Sequence, residues 1–384
     1  MPLLQNLVIE LKEKGVVVAG HCDLSIFHPE DPWTLGVELE VRLIDAETMK
    51  PANRSPYIFE HLPERLRPHV HQELLQSMVE IVTPVCKTPA EATDFIMKTL
   101  GELTRIGAEE NIALAALATH PFERKEDNRR FEDPRYEAFA RELQVVLRNF
   151  LISGLHIHVA MPNDETAVRA YDASITYLPI FLALSANSPF HLGEDTGLQS
   201  YRSKIFERLP RAGIPEYFGS YREYCSLMEQ LYATGTIQSA KDVWWDVRIH
   251  QGFGTVELRV CDAFYDRERL RLIVTFYQAL LHHITQYPVG RVYTQISKQN
   301  KWNAVRHGMK ANFIEGDRVL PLREKAHELV NDLERSGSFE ALGTAAEAEA
   351  LHELIERETI ARKLRRIYEE TGDFKAVIRE ELIE

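Results

Sequence analysis

Four short apolar segments, far apart in the chain, each carry ionisable residues two positions apart. "TLGVELEVRLI" holds Glu38 and Glu40 with Arg42 following, "SGLHIHVAM" holds His156 and His158, "WWDVRI" holds Asp246 and Arg248, and "GTVELRVCD" holds Glu257 and Arg259. Side chains at i and i+2 of a strand point to one face, so in the first segment the charges share a face while Val37, Leu39, Val41 and Leu43 share the other. One such strand is what any half-solvated antiparallel sheet would show. Four solvated faces would more often carry Lys, Ser and Thr, whereas carboxylates and imidazoles bind metals and guanidiniums bind phosphate or carboxylate. Gathered on one concave sheet, the carboxylates would repel and resist burial, so the site needs a cation. Oxygen-rich ligation with imidazole and no thiolate suits Mg²⁺ or Mn²⁺ better than zinc. Arginines beside such metals imply a polyphosphate.

The elements that must position these residues follow from periodicity and punctuation. "QELLQSMVEIVTPVC" carries Glu73 on the approach to a second strand and Glu80 within it, and "TPAEATDFIMKTLGELTRIGAEEN" is a helix with Thr88 as N-cap and Pro89 at its first position. "IALAALATHPF" predicts a strand that breaks at His120-Pro121. "DPRYEAFARELQVVLRNFL" predicts one helix leading into the histidine strand, and "DETAVRAYDASITYLPIFLALSANSPF" a long apolar helix. "GLQSYRSKIFERLPRAGIP" is dense in arginine and turn residues, "RERLRLIVTFYQALLHHITQ" is a helix, and "SKQNKWNAVRHGM" reads as a polar loop. From about Pro321 the chain is helical and polar. Residues 1–30 read as an amphipathic helix ended by Gly15, then a β-like "VVVAG" and a loop. Neither GxGxxG nor GxxxxGK[ST] occurs, so nucleotide folds built on those motifs lose support. No linker interrupts the pattern, which predicts an N-terminal extension over 1–32 and one domain over 33–384 with a C-terminal helical region.

With 384 residues and 45% hydrophobic content, the chain has ample material for a core. A net charge of −13 argues against nonspecific nucleic-acid binding and favours small-molecule substrates. Cys22, Cys86, Cys225 and Cys261 form no close ligand pair, which fits a reducing cytoplasm. The expectation is a cytoplasmic protein with no export leader and no membrane span.

The ordered motifs "TLGVELEVRLID", "SMVEIVTPVC", "THPF", "DPRYE", "GLHIHV", "LSANSPF", "YRSKIFERLPRAGIP", "WWDVRIHQGFGTVELRVCD" and "NKWNAVRHG" resemble those of type 2 glutamate–cysteine ligases, in particular their carboxylate–amine ligase branch. The resemblance runs from about Trp33 through the C-terminal helices. It implies an α+β fold of the glutamine synthetase type: a curved antiparallel sheet forming a funnel, helices on its outer face, and ATP with Mg²⁺ or Mn²⁺ inside. Glu38, Glu40, Glu73, Glu80, His156 and Glu257 match metal-binding positions, and His158 is expected beside the metals or facing substrate. Arg259 matches the arginine beside the transferring phosphate, which makes it and Glu257 the catalytic pair. Arg202 and Arg248 become candidates for a substrate carboxylate or the ATP phosphates, although Arg202 and Arg208 could also be surface arginines. Asn300 and Arg306 are expected near the funnel mouth, touching substrate or nucleotide; the alternative is a helix start packed by Trp302. The family's usual "RP" is here Arg248-Ile249.

Three further positions have structural expectations. His69 and His71 form an HxH pair in a polar stretch and are not expected to be ligands, His120 closes a turn, and Trp244 and Trp245 belong to the core.

The implied reaction is ATP-dependent amide formation through an acyl phosphate, joining glutamate to cysteine or another small amine. The implied partners are ATP, glutamate or another carboxylate, and an amino acid or amine; a homodimer is compatible. Two rivals stay open. A phosphagen-type kinase would stop after phosphoryl transfer, and a noncatalytic metal or nucleotide sensor would bind ATP without consuming it. Removing Glu38 or Glu257 is expected to lower metal affinity without unfolding, by relief of carboxylate repulsion.

Overall fold

A computed structural model describes residues 27–28, 31–132 and 134–384. The helix and strand expected within the first thirty residues lie outside the described residues. Its central strand, β1 (Leu35–Asp45), alternates as the sequence demands: Val37, Leu39 and Val41 are buried while Glu38 and Glu40 stay half-buried. The alternation stops at Arg42, which is buried and donates to Glu123 Oε1 at 2.7 Å and to the Leu117 carbonyl at 3.1 Å. Its charge therefore leaves the row expected from spacing alone.

Six more strands complete an antiparallel sheet: β2 (Val70–Gln72), β3 (Met78–Val82), β4 (Ile112–Ala115), β5 (Gly154–Ala160), β6 (Val247–His250) and β7 (Thr255–Asp262). The order is β6-β7-β5-β1-β3-β2, with β4 pairing the C-terminal half of β1. β5 and β7 are buried along their whole length, so one face meets helices and the other must meet more protein. Helices α1 (Pro89–Ala108), α4 (Asp164–Ser185) and α6 (Arg267–Gln286) pack on the apolar face and join it in one continuous core. Their starts follow the capping chemistry: Thr88 accepts from Glu91 N, Asn163 from Thr166 N and Asp266 from Arg269 N. This mixed α+β layout, an antiparallel sheet with helices on its outer face, is the fold class expected.

Several elements depart from expectation. The helix foreseen over 133–151 is two, α2 (Pro134–Leu143) and α3 (Val145–Arg148), broken where Gln144 takes a φ of 48°. β4 ends at Ala115 because the chain's own C-terminal residues claim the next backbone groups: Ala116 N donates to Glu381 O and Ile383 N to Leu114 O. His120 does close a turn, its Nδ1 accepting from the Phe122 and Glu123 amides. α5 (Tyr201–Phe206) emerges from the arginine-rich segment.

The stretch read as a polar loop is instead a helix, α7 (Thr294–His307), whose buried face is Ser297, Asn300, Lys301, Ala304 and Val305. That is helical spacing, but three of the five residues are polar, which hides it from hydropathy. β2 was not expected either; it is a short edge strand with His71 and Gln72 exposed. Helices close the chain: α8 (Leu322–Arg335), a single turn at Ser338–Ala341, then α9 (Glu347–Glu356), α10 (Ile360–Thr371) and α11 (Phe374–Glu380). The Ala/Glu-rich α9 is solvated on one side and buries Leu351, Leu354 and Ile355 on the other.

Candidate active site

Antiparallel pairing brings the ionisable pairs into one row. Glu38 lies opposite His156, His158 opposite Glu257, Glu257 opposite Arg248, and Glu40 opposite Glu80, which faces His71 on the next strand. Opposite His158 on β1 stands Gly36, a position with no side chain to crowd the ring. The row lines a cavity of about 550 Å³ on the sheet face away from α1, α4 and α6, and Glu73 joins it from the turn after β2.

Contacts within the row are close. Glu38 Oε2 lies 3.0 Å from His156 Nδ1, and Glu38 Oε1 lies 3.3 Å from His158 Nε2, which in turn is 3.7 Å from Glu257 Oε1. His158 Nδ1 meets the Thr255 hydroxyl at 2.9 Å, leaving Nε2 aimed at the two carboxylates. Glu257, fully buried, accepts from Arg248 Nε at 2.7 Å and from Arg259 Nη1. Glu40 Oε2 accepts the Gly154 amide at 2.6 Å. Pairing between β5 and β7 slips between Leu258 and Cys261, while on the other side of β7 the Arg259 amide donates to Asp246 O and extends the β6–β7 register.

Three donor sets have ligand atoms within 4.8 Å of one another: Glu38–Glu80–His156, Glu38–His158–Glu257 and Glu40–Glu73–Glu80. All donors are carboxylate oxygens or imidazole nitrogens, the chemistry of a hard divalent cation. The electrostatics agree. Burial, reinforced by the Glu40 charge, pushes the Glu73 carboxyl up to about 8, and burial with Glu73 beside it drives Glu80 well above the usual carboxylate range. Two of the three clustered carboxylates are thus pushed towards the neutral form, chiefly by burial and then by the neighbouring carboxylates, a cost that a bound cation would lower.

The other end of the row is already compensated. Burial opposes ionisation of Glu257, but Arg248 and Arg259 outweigh it and keep the carboxyl far below its ordinary value. Glu38 is likewise lowered against burial, by His158 and His156. Burial pulls both histidines down. For His156, with Arg259 adding to it, that wins, whereas for His158 the Glu257 and Glu38 charges reverse it and raise the pKa. Loss of Glu257 would therefore strand two buried guanidiniums, so the expected relief of repulsion does not apply at this position.

Of the residues singled out from sequence, Glu38, Glu40, Glu73, Glu80, His156, His158, Arg202, Arg248 and Arg259 line the cavity, with Glu257 directly beneath. Arg202 is no surface arginine: it is 2% exposed, lies over the Phe206 ring, and among the described residues its guanidinium reaches only the Arg259 and Val260 carbonyls at 3.3 and 3.4 Å, with Nε unpartnered. Its guanidinium covers Gly154, where a Cβ would stand 2.8 Å from Cζ. Asn300 and Arg306 are not among the lining residues. Asn300 spends its amide on both backbone groups of Ile314, and Arg306 donates to Gly197 O, as parts of a helix whose position the loop reading did not foresee.

The "NKW" motif contributes differently. Lys301, 2% exposed, bridges Asp246 at 2.6 Å and Glu207 at 2.7 Å, behind the strand that carries Arg248. Trp245 is buried as expected, but Trp244 faces the cavity, edge-on to Phe139. His71 and Lys241 also line it, whereas His69 turns its Nδ1 to Val82 O. The HxH spacing and the Trp-Trp pair were the available signals, and neither reveals which member faces inward without the register.

An antiparallel sheet presenting clustered acidic and imidazole donors beside paired arginines, backed by helices, is a site suited to divalent cations and phosphate. The chain belongs to glutamate–cysteine ligase family 2, whose family model matches residues 34–380. A relative from Herpetosiphon aurantiacus, provisionally named glutamate–cysteine ligase 2, is 36% identical over 358 residues, covering 91% of this chain and 92% of the relative. One from Rubrobacter xylanophilus, provisionally named glutamate–cysteine ligase 2-1, is 36% identical over 351 residues, covering 90% and 93%.

Among solved structures, the fold resembles a glutamate–cysteine ligase from Francisella tularensis in complex with AMP (TM-score 0.66, 11% identity, 92% of this chain and 88% of that one). It also resembles a bifunctional glutathione synthetase from Pasteurella multocida (TM-score 0.70, 15% identity, 91% of this chain), of which it spans about half, 51%. The protein is accordingly an enzyme that forms an amide bond at the expense of ATP, a carboxylate–amine ligase. Among the described residues no helix is long and apolar enough to cross a membrane.

Proposed function

We propose that the enzyme activates the γ-carboxylate of glutamate with ATP and passes the γ-glutamyl group to an amine. The observation that carries this reading is the convergence of three acid/imidazole donor sets and the Arg248–Glu257–Arg259 cluster on one cavity. Glu38, Glu40, Glu73, Glu80, His156, His158 and Glu257 would hold Mg²⁺ or Mn²⁺, which when bound neutralises phosphate charge. A carboxylate oxygen of glutamate attacks the γ-phosphorus, the bond to ADP breaks, and an acyl phosphate forms. Arg259, with Arg248 beside it, stabilises charge on the transferring phosphate, as fixed guanidiniums do in phosphoryl transfer. Arg202, which forms no direct ion pair among the described residues although the Asp262 and Asp246 charges feel it, suits the second carboxylate of glutamate. The amine then attacks the acyl carbon and inorganic phosphate leaves. Cys86 and Cys261, buried and without a disulfide, support a reducing, cytoplasmic setting.

The test is ADP release from ATP and Mg²⁺, with and without glutamate, across a panel of amines, with products identified by mass spectrometry. A glutamyl amide equimolar with ADP is the expected result. A stable phosphorylated acid without amide would identify a kinase, and ATP binding without ADP release a sensor.

A further inference from the structure

The two ends of the cavity differ in chemistry. At the Glu257 end stand Arg248, Lys241 and the His250–Phe253 pair, stacked at 4.1 Å with their rings 12° apart and in edge contact with His158. Basic groups beside a flat aromatic plate suit a nucleotide. Around Glu73 the wall is apolar: Leu74, Phe139, Leu147, Phe150 and Phe206 line it, Phe150 tilted against Phe206 at 5.8 Å, and Trp244, edge-on to Phe139 at 5.5 Å, carries the apolar surface to Val243, whose carbonyl accepts from Arg248. The break at Gln144 lets both short helices contribute, since Phe139 precedes it and Leu147 follows it.

Resting on the ligase reading above, we propose that this apolar chamber receives the side group of the amine, and that the amine substrate is a primary amine bearing an aromatic or branched aliphatic group. Cysteine or methylamine would leave most of that wall in contact with water, whereas an aryl or branched alkyl group would cover it. On that reading Arg202, buried over the Phe206 ring, takes the acid's second carboxylate, and the rest of the apolar wall is left for the other substrate. Apolar surroundings also disfavour the ammonium form and so favour the neutral amine, the form that can attack. In the step itself the nitrogen lone pair forms the bond to the acyl carbon, the carbon–oxygen bond to phosphate breaks, and the proton lost by nitrogen leaves on inorganic phosphate.

The test compares phenethylamine and isoamylamine with methylamine and cysteine, using the full chain with ATP, Mg²⁺ and glutamate. The kcat/KM for phenethylamine should exceed those for methylamine and cysteine by at least about tenfold, the scale of discrimination that apolar contacts supply. Equal or better turnover of the small amines overturns the inference and leaves the ligase reading standing. No ADP release with any amine removes both. Leu147→Trp, which fills the chamber, should lower the phenethylamine-to-methylamine ratio by at least about tenfold. An unchanged ratio in the folded variant also overturns the proposal, and if that variant fails to fold, the wild-type panel decides.

Discussion

Replacing Lys301 by methionine tests whether the buried charge behind the site works as described. Lys301 Nζ sits 2.6 Å from Asp246 and 2.7 Å from Glu207, with Lys301 and Asp246 almost fully buried. Removing one partner of a buried pair leaves the other uncompensated, at a cost of about 3–5 kcal/mol. With an unfolding entropy of about 2.1 cal/mol/K per residue, a 384-residue chain has about 0.8 kcal/mol/K, so Tm should fall by about 4–6 °C near neutral pH.

The loss should depend on pH. Burial raises the Asp246 pKa and Lys301 opposes the rise. Without Lys301 the folded state binds a proton at pH values where the unfolded chain has released it, so stability falls as pH rises through the raised pKa. The Tm deficit should accordingly be smaller at about pH 5 than at about pH 8. Adding Asp246→Asn should recover part of it, since Glu207 is partly exposed and keeps Lys204 as a partner. Because the Asp246 carbonyl holds the Arg259 amide at 2.8 Å, kcat should also fall, by about ten- to hundredfold for a displaced guanidinium. Differential scanning calorimetry across pH is the assay. A deficit under about 1 °C at pH 8, or one identical at both pH values, would refute the reasoning.

Glu257→Gln should cost about 3–5 kcal/mol, since it leaves Arg248 and Arg259 without a buried counter-charge; urea unfolding at neutral pH measures it, and unchanged stability would contradict the ion cluster. Glu381 lies 5% exposed with its carboxyl pushed by burial up to about 8, so wild-type stability should decline as pH rises from about 5 towards 8; Glu381→Gln, which mimics the protonated form, should gain on wild type over that window and not below it. Titration calorimetry should find ATP binding abolished by EDTA and restored by Mg²⁺ or Mn²⁺, and equal affinity without metal would remove the donor sets from the mechanism. Arg306→Ala, which loses one exposed contact to Gly197 O, should leave every Michaelis constant unchanged, a result that a substrate-binding role would not allow.

What could be read from sequence was whatever obeys a short period. β1, β5, β6 and β7 announce themselves by alternation, and the acidic and imidazole donors sit on them at i and i+2. What resisted reading has a physical cause in each case. α7 buries Ser297, Asn300 and Lys301, so its inward face looks polar, and Lys301 passed for part of a loop. Gln144 breaks a helix through a backbone conformation its residue type does not advertise. The Glu38–His158–Glu257 donor set needs β5 between β1 and β7, a pairing of segments about a hundred residues apart that no local pattern specifies. The apolar chamber is assembled from α2, α3, α5 and the Trp244 strand, each of which reads alone as ordinary core.

The guanidinium of Arg202 lying flat over Gly154 ties two positions in unrelated segments to a shared fate. Any side chain at 154 would enter the space the guanidinium fills, and any shorter residue at 202 would uncover a bare stretch of strand beside Glu40. Neither site can drift alone without passing through a less fit intermediate. Across descendants of this chain, glycine at 154 and arginine at 202 should therefore be inherited as a pair and lost as a pair.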